Sequence, residues 1–441
     1  MRKKMLELAH KTATTAQQAG ANDARVFVTR SRQVQVEWRD GKLDRIREST
    51  NQGLSITLYV DGRYSSNATS DLRPEALERY IREAVAATRY LAVDKHRQLP
   101  PPERYQDMIA TDLKLRDEAV TQVTAEQRLA WARNLEEAVR AAPGNDKLIS
   151  VTTSASDVDS MTIGVATNGL EAEEQGSVFV QYADASVKDE GDRKPSDYGY
   201  GQSRFLKDLP ATSLMAQTAL RRALDQCGTK ALKTGKYTVI IENRVGGSMI
   251  RHLLSPLSGS AIQQKRSFLE GKIGQQITTD KLTVVDNPHL PKGLGSSAWD
   301  SEGMATIVRP ILKQGVLQLY YMDTYNASKL NLVPTTSGAS NLEWSLGKRS
   351  QEDILKEVKE GILVTSFLGG NSNSTTGDFS LGIKGFYIKD GKRIHPVSEM
   401  NMAGNHLEFW MQLAEIGNDP FPYSSTQTPT LRFEGVDCSG K

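Results

Sequence analysis

The chain has 441 residues, of which 38% are hydrophobic and 24% charged, with 55 basic and 53 acidic side chains and a net charge of +2. This length predicts two or three domains with apolar cores, and the charge balance argues against the general basic surface that nucleic acid requires. The two cysteines, Cys227 and Cys438, fit no metal-binding spacing, so we expect free thiols in a reducing compartment.

The N-terminal segment predicts an amphipathic helix that ends near Gly20, because its apolar residues fall at helical spacing. Glu7, His10 and Lys11 interrupt the apolar stretch that a signal peptide would need. No run in the chain approaches the roughly 20 apolar residues of a membrane span. We therefore expect a cytoplasmic protein without a membrane segment.

The region up to residue 230 contains the same pattern twice. Alternating apolar residues around the Asp40-Gly41 turn predict antiparallel strands, and a helix follows them. A second helix is predicted to start at Thr124, where Gln127 completes the spacing of a capping box. Strands around Asn168-Gly169 and another helix follow it. We predict that residues 1–230 form one α+β domain with a weak internal duplication.

The remainder, residues 231–441, is dominated by short strands separated by Gly, Pro, Asn and Ser. Asp390-Gly391 and Gln314-Gly315 mark hairpins between such strands. Few long helical patterns follow Leu257. This pattern of short strands and turns predicts a β-rich, barrel-like C-terminal domain. The predicted fold class of the whole chain is therefore α+β.

The stretch "NRVGGSMIRHLLSPLSG", residues 243–259, draws attention because a predicted strand, a glycine turn and a helix with a histidine come together in it. A zinc hydrolase needs two or three ligands on rigid elements and a carboxylate base. This helix offers only His252, its neighbour Arg251 has the wrong charge beside a cation, and Pro256 ends it. A structural histidine is therefore favoured over a metal ligand.

Other catalytic patterns are weak. No GxSxG nucleophile elbow is present, and neither "VGGS" nor "LGGNSNSTTG" matches a phosphate-binding loop. The second of these predicts an exposed, flexible loop. Asp378 and Ser380 begin a predicted strand, where small polar residues beside a free edge could accept an extended peptide. A strand cap followed by a turn is the simpler interpretation.

Several blocks in order carry a family resemblance: "RVGGSMIRHLLSPLSGSAIQQKRSFLEGKIGQQI", "LTVVDNPHLPKGLGSSAWDSEG", "NSTTGDFSLGIKGFYIKDGKRIHPVSEMNMAGN" and "PTLRFEGVDCSGK". Together with the N-terminal "VEWRDGKLDRIRES", they resemble the TldD/PmbA family, known as metalloproteases or as modulators of DNA gyrase. The resemblance spans nearly the whole chain. It implies an α+β domain followed by a β-rich domain, and assembly of two chains around a cavity that admits unfolded peptide.

The resemblance also distinguishes two subunit types. The TldD type carries HExxxH on the helix after the strand and a late cysteine as third zinc ligand, whereas the PmbA (TldE) type lacks both. Aligned on "SFLEGKIG", the two His positions and the Glu position correspond here to Ile250, Ser255 and Arg251. Cys438 lies beyond the place of the late cysteine, and His252 stands where PmbA-type members tend to carry a histidine. The chain thus resembles the PmbA type, with degenerate active-site positions.

This resemblance implies a subunit that is itself non-catalytic and metal-free, with zinc on a TldD-type partner and unfolded peptide as substrate. Candidate contacts to peptide or partner are Arg251, His252, Asp378 and Ser380, and the chain could form a homodimer when alone. Two alternatives stay open: a regulatory, gyrase-modulator-like binding protein without a protease role, and an independent hydrolase with an unrecognised site.

Overall fold

The N-terminal half is built from two units with the same order of elements. In the computed structural model, which describes residues 1–440, each unit is a helix, three strands and a second helix. The first unit comprises α1 (Arg2–Gln18), β1 (Asp23–Arg39), β2 (Lys42–Val60), β3 (Arg63–Thr69) and α2 (Pro74–Thr88). The second comprises α3 (Ala125–Ala141), β4 (Leu148–Ala166), β5 (Glu171–Val187), β6 (Ser196–Ser203) and α4 (Thr212–Leu224). The internal duplication predicted from the sequence is therefore confirmed.

The two units share one antiparallel sheet with the strand order β3-β2-β1-β4-β5-β6, so β1 and β4 meet at its centre. The Asp40-Gly41 turn joins β1 to β2, and Asn168-Gly169 joins β4 to β5 at the equivalent place. Asp40 and Gly41 have φ angles of 47° and 81°. Both are positive, as a two-residue type I′ hairpin requires.

Helices cover one face of this sheet. Val26 and Val28 of β1 are buried in the cluster that contains α1 and α2, while Val36 is buried against α3. Because alternate residues of a strand point to the same face, all three lie on one side. Phe27 points to the other side, where its ring stacks on Trp299 of the C-terminal half at 5.7 Å. The sheet is thus fixed between its own helices and the second half of the chain.

The C-terminal half contains a small closed barrel. Its elements are β7 (Gly235–Ile241), α5 (Asn243–Leu254), α6 (Gly259–Gln263), β8 (Val284–Asp286), β9 (Arg309–Lys313), β10 (Val316–Leu317), α7 (Thr324–Leu330), β11 (Leu342–Trp344), α8 (Gln351–Lys356), β12 (Glu360–Ser372), β13 (Asp378–Lys389), β14 (Lys392–Asn405), α9 (His406–Met411), β15 (Leu413–Ile416) and β16 (Leu431–Ser439). Five strands follow each other in the order β14-β13-β12-β7-β16, and pairing of β14 with β16 closes the ring. The barrel-like prediction is therefore confirmed.

Two further details agree with the sequence. Asp390-Gly391 and Gln314-Gly315 both form two-residue hairpin turns, and all four residues have positive φ.

A second, four-stranded sheet has the order β10-β9-β8-β11 and lies beside the barrel. Helix α4 ends at Leu224 and strand β7 begins at Gly235, so the predicted domain boundary lies in the connection between them. The division into residues 1–230 and 231–441 stays a prediction.

Candidate functional site around helix α5

Helix α5 follows the buried end of strand β7, without the glycine turn that the sequence predicted. That prediction was wrong because Gly246 and Gly247 lie inside the helix. A Cβ atom at Gly246 would overlap the methyl group of Thr428, and one at Gly247 would lie 2.8 Å from Thr426 Oγ1. The two glycines therefore let the helix pack closely against the segment before β16.

The start of α5 is held by a buried arginine from the N-terminal half. Arg222 of α4 donates from Nη1 to both carboxylate oxygens of Glu242 at 2.8 and 2.9 Å, and from Nη2 to the carbonyl of Thr365 at 2.8 Å. Its Nε lies 3.4 Å from Asp197 Oδ1 of β6. Glu242 is the residue before α5, so this cluster fixes the helix relative to both halves of the chain.

The side chains at the three positions aligned with the HExxxH motif, Ile250, Arg251 and Ser255, do not point towards a common site. Ile250 is 1% exposed and belongs to the apolar core with Met249 and Leu253. Arg251 is exposed on the other side of the helix, and its Nη2 donates to Ser248 Oγ one turn earlier at 3.1 Å. Ser255 is exposed at the C-terminal end of the helix. The helix therefore turns an apolar side chain inward and a cation outward.

His252 meets a second histidine that sequence spacing did not reveal. Its ring stacks on that of His406, with centroids 5.6 Å apart and planes inclined by 29°. His406 is the first residue of α9 and is also flanked by Phe379, at a centroid distance of 4.7 Å, and by Phe268 at 5.8 Å. The two histidines are far apart along the chain, so no helical or strand period connects them.

His406 is completely buried and only partly satisfied. Its Nε2 lies 2.8 Å from Ser372 Oγ, whereas its Nδ1 has no hydrogen-bond partner within residues 1–440. Burial lowers the pKa of His406 to about 4, with a smaller contribution from His252, and burial likewise lowers the pKa of His252. Both rings are therefore neutral near pH 7.

Ser372 lies within a segment that the sequence assigned to a flexible loop. Strand β12 extends to Ser372 and pairs with β13, with a register shift before Gly370. Gly369 and Gly370 have φ angles of 104° and 131°, a conformation that only glycine adopts readily. The loop prediction was wrong for residues 368–372, because a bulge accommodates these glycines within a paired strand.

Asp378 and Ser380 lie at the start of β13, near the histidine pair. Asp378 accepts hydrogen bonds from Asn405 Nδ2 at 3.0 Å and from Thr376 Oγ1 at 2.7 Å, and these bonds lower the pKa of its carboxyl group. Strand β13 pairs with both β12 and β14, so its backbone offers no free edge at these residues. Peptide addition to this strand is excluded, and contact through the two side chains stays a prediction.

Comparison with known proteins identifies the family. Profiles of PmbA/TldA metallopeptidase domain 1, central domain and C-terminal domain match residues 24–88, 118–226 and 234–440. Metalloprotease PmbA of Escherichia coli O157:H7 is 30% identical over 443 residues, which is 100% of this chain and 97% of that protein. The chain belongs to the PmbA/TldD metallopeptidase family.

Both named branches of the PmbA/TldD family are represented among similar proteins. A TldD homologue of Haemophilus influenzae is 24% identical over 67% of this chain and 65% of its own length. A proposed modulator of DNA gyrase from Bacteroides thetaiotaomicron has a solved structure with a TM-score of 0.95 and 40% identity, covering 99% of this chain and 98% of that one. TldE of Thermococcus kodakarensis, at 19% identity, shares the fold with a TM-score of 0.86 over 98% of this chain and 100% of its own.

The name metalloprotease, given to the relatives, implies a bound metal ion. The side chains of α5 at the aligned positions do not form a metal-binding site. Ile250 has no donor atom, Arg251 carries a positive charge, and Ser255 offers only a neutral hydroxyl. Within residues 1–440, no three His, Cys, Asp or Glu side chains are grouped so that they could hold a metal ion. Zinc prefers His nitrogen, Cys sulfur and carboxylate oxygen at tetrahedral positions. The inward-facing surface of α5 is instead part of the apolar core.

The two cysteines provide no ligand near α5. Cys438 is 2% exposed in β16, and burial raises the pKa of its thiol to about 12. Cys227 follows α4, and burial raises the pKa of its thiol as well. Both are free thiols. Among residues 1–440, no helix is both long enough and apolar enough to cross a membrane.

Proposed function

We propose that this chain is a PmbA (TldE)-type subunit of a two-chain metallopeptidase that acts on unfolded or small peptides. In this proposal the chain is metal-free and non-catalytic, and a TldD-type partner carries zinc. The observation that carries it is the chemistry of α5, where Ile250 is buried in the core and Arg251 faces outward. Neither residue can replace a zinc ligand or a general base.

The outward surface of α5 supports a role in contacting peptide or partner. Arg251 is exposed and, among residues 1–440, its side chain is hydrogen-bonded only to Ser248 of its own helix, so its charge is available to an external carboxylate or carbonyl. His252 is half-buried beside His406 and presents a neutral ring. We assign these side chains to the wall of a shared cavity, and we place the complex in the cytoplasm.

Purification with and without a TldD-type chain tests the proposal. Zinc is measured by elemental analysis, and turnover is measured with an unfolded polypeptide as substrate. We expect no zinc and no cleavage with this chain alone, and zinc with cleavage when both chains are present. The TldD-type chain alone is the control. One zinc per chain together with cleavage by the isolated protein would refute the proposal.

A regulatory role is the second candidate, because the Bacteroides relative at 40% identity is named as a proposed modulator of DNA gyrase. The near-neutral charge disfavours direct DNA contact, so this candidate predicts a protein target. Capture of a gyrase subunit without peptide turnover by either chain would favour it. An independent hydrolase is the third candidate, and unchanged turnover in a His252→Ala variant would remove its most visible catalytic group.

A further inference from the structure

A second cavity, of about 230 Å³, lies where the two halves of the chain meet at the start of α5. Tyr200 of β6 lines it from the N-terminal half, and Phe421 and Tyr423, which precede β16, line it from the C-terminal half. Leu214 of α4 also lines it and is 54% exposed. His252 lies in the last turn of α5, so the cavity is separate from the histidine pair.

Three aromatic rings form an apolar wall of this cavity. The ring centroid of Tyr200 lies 5.7 Å from that of Phe421 and 6.3 Å from that of Tyr423, and the last two are 5.4 Å apart. All three side chains are only partly buried. Within residues 1–440 neither tyrosine hydroxyl has a hydrogen-bond partner, and neither oxygen is buried. The wall is therefore accessible, and it combines apolar rings with a few polar groups, as binding pockets usually do.

The backbone of β6 has a free edge beside these rings, because β6 is the last strand of its sheet. Pro195, just before β6, accepts a hydrogen bond from the end of β5, and the register continues without a shift. Odd-numbered residues of β6 therefore face β5, and even-numbered residues turn their N–H and C=O groups outward. The outward carbonyl of Tyr198 accepts from Arg244 Nη2 at 2.6 Å. The backbone of Tyr200, the next outward residue, has no such partner in the described chain, so an extended peptide can pair with it.

Arg244 adds an accessible positive charge to the cavity. Its guanidinium lies over the rings of Tyr198 and Tyr200, at 4.3 and 5.1 Å from their centroids. Its Nε and Nη1 have no hydrogen-bond partner among residues 1–440, and neither atom is buried. Arg222, which also lines the cavity, is paired with Glu242. The free donors of Arg244 can therefore bind a carboxylate, and its charge repels a basic side chain.

We propose that this cavity binds an aromatic side chain of an extended peptide, and that Arg244 binds an acidic side chain two positions away on the same peptide. Pockets for drug-sized ligands occupy about 300–1,000 Å³, so this smaller cavity admits a single side chain. An aromatic side chain suits it, because edge-to-face and offset contacts between rings are favourable. The inference rests on the peptide-handling function proposed above and adds a sequence preference to it.

Calorimetric titration of the full chain, without any partner, tests the site. The probe is the pentapeptide Asp-Ala-Phe-Ala-Asp with both ends blocked, in which an acidic side chain lies on the same side as the ring in either direction of the chain. Replacement of its Phe by Ala should weaken binding at least about tenfold, because the ring is no longer buried. Replacement of both Asp by Asn should weaken binding about three- to fivefold, as for one exposed ion pair.

Matched variants locate the binding. Tyr423→Ala is expected to weaken binding of the pentapeptide about tenfold, whereas Tyr90→Ala, at a position that is 90% exposed and outside the cavity, leaves it unchanged. Arg244→Met should abolish the difference between the Asp and Asn peptides and keep the preference for Phe over Ala. If thermal unfolding shows that Tyr423→Ala does not fold, Leu214→Glu takes its place, since it puts a charge into the apolar lining at an exposed position.

Three results would overturn the proposal: no binding of the pentapeptide, equal binding of the Phe and Ala peptides, or unchanged binding in the folded Tyr423 or Leu214 variant. Equal binding of the Asp and Asn peptides by the parent protein would overturn the role of Arg244. Because neither a partner nor zinc nor cleavage is involved, failure here leaves the two-chain proposal intact. Equally, failure of the two-chain proposal would leave a positive titration in place.

Discussion

His252 of α5 and His406 of α9 stack with ring centroids 5.6 Å apart. This contact joins the candidate-site helix to the end of barrel strand β14, because α9 follows that strand directly. Ser372 of β12 contacts the same His406 ring at 2.8 Å. The pair therefore links two barrel strands to α5 through neutral imidazoles, and its stability should depend on pH.

Acidification is expected to destabilise the protein through His406. Its pKa is lowered to about 4 in the folded state, against about 6.5 for an unfolded chain. The unfolded state therefore binds a proton first as pH falls, so stability is fully present above about pH 6.5 and decreases as pH falls towards 4. The free energy of unfolding should decrease by about 3 kcal/mol over this range, and urea unfolding between pH 7.5 and 4 measures the decrease.

A pair of variants separates this effect from general acid denaturation. His406→Gln should flatten the pH dependence between 6.5 and 4, because the buried group no longer titrates. Lys4→Gln, at an exposed position on α1, should leave the dependence unchanged. An equal slope in His406→Gln and the parent protein would show that His406 does not control it.

Gly246→Ala should destabilise the protein, although the same substitution usually stabilises a helix. Gly→Ala inside a helix ordinarily stabilises by about 0.5–1 kcal/mol. Here the added methyl group overlaps Thr428 Cγ2, and overpacking costs about 1–3 kcal/mol, so the free energy of unfolding should decrease. Thr428→Ser removes the opposing methyl group and should recover part of the loss in the double variant. A stabilised single variant would contradict the close packing.

The fold was largely readable from the sequence because it rests on local signals. The Asp-Gly and Gln-Gly hairpins, strand alternation and the capping box at Thr124 are all short-range patterns. The site around α5 could not be predicted from such short-range patterns. Gly246 was interpreted as a turn because its reason, contact with Thr428, lies in a distant segment. No spacing pattern connects His406 to His252, since only the tertiary fold brings the two rings together.

Loss of the Arg222 side chain should destabilise the protein strongly. Its guanidinium joins Glu242, Asp197 and the carbonyl of Thr365 while being almost fully buried. Removal of one partner from a buried ion cluster costs about 3–5 kcal/mol, because the remaining charges stay buried. Urea unfolding of Arg222→Met measures the loss. Arg221→Met, at the adjacent exposed position, is the control and should change stability by less than about 0.5 kcal/mol.

Arg251 provides the most direct test of a functional role for α5. Its side chain is exposed and, in the part of the chain that the structure describes, is hydrogen-bonded only to Ser248, so Arg251→Ala should change the free energy of unfolding by less than about 0.5 kcal/mol. If Arg251 contacts peptide or partner, the same variant should weaken that binding by about ten- to a hundredfold, since one charged hydrogen bond contributes about 1.5–3 kcal/mol. Turnover of an unfolded polypeptide by the two-chain complex, and co-purification of the chains, measure the two contacts separately. Arg79→Ala, exposed on α2 in the other half, is the matched control. Unchanged turnover and unchanged co-purification in Arg251→Ala would remove this residue from the proposed cavity wall.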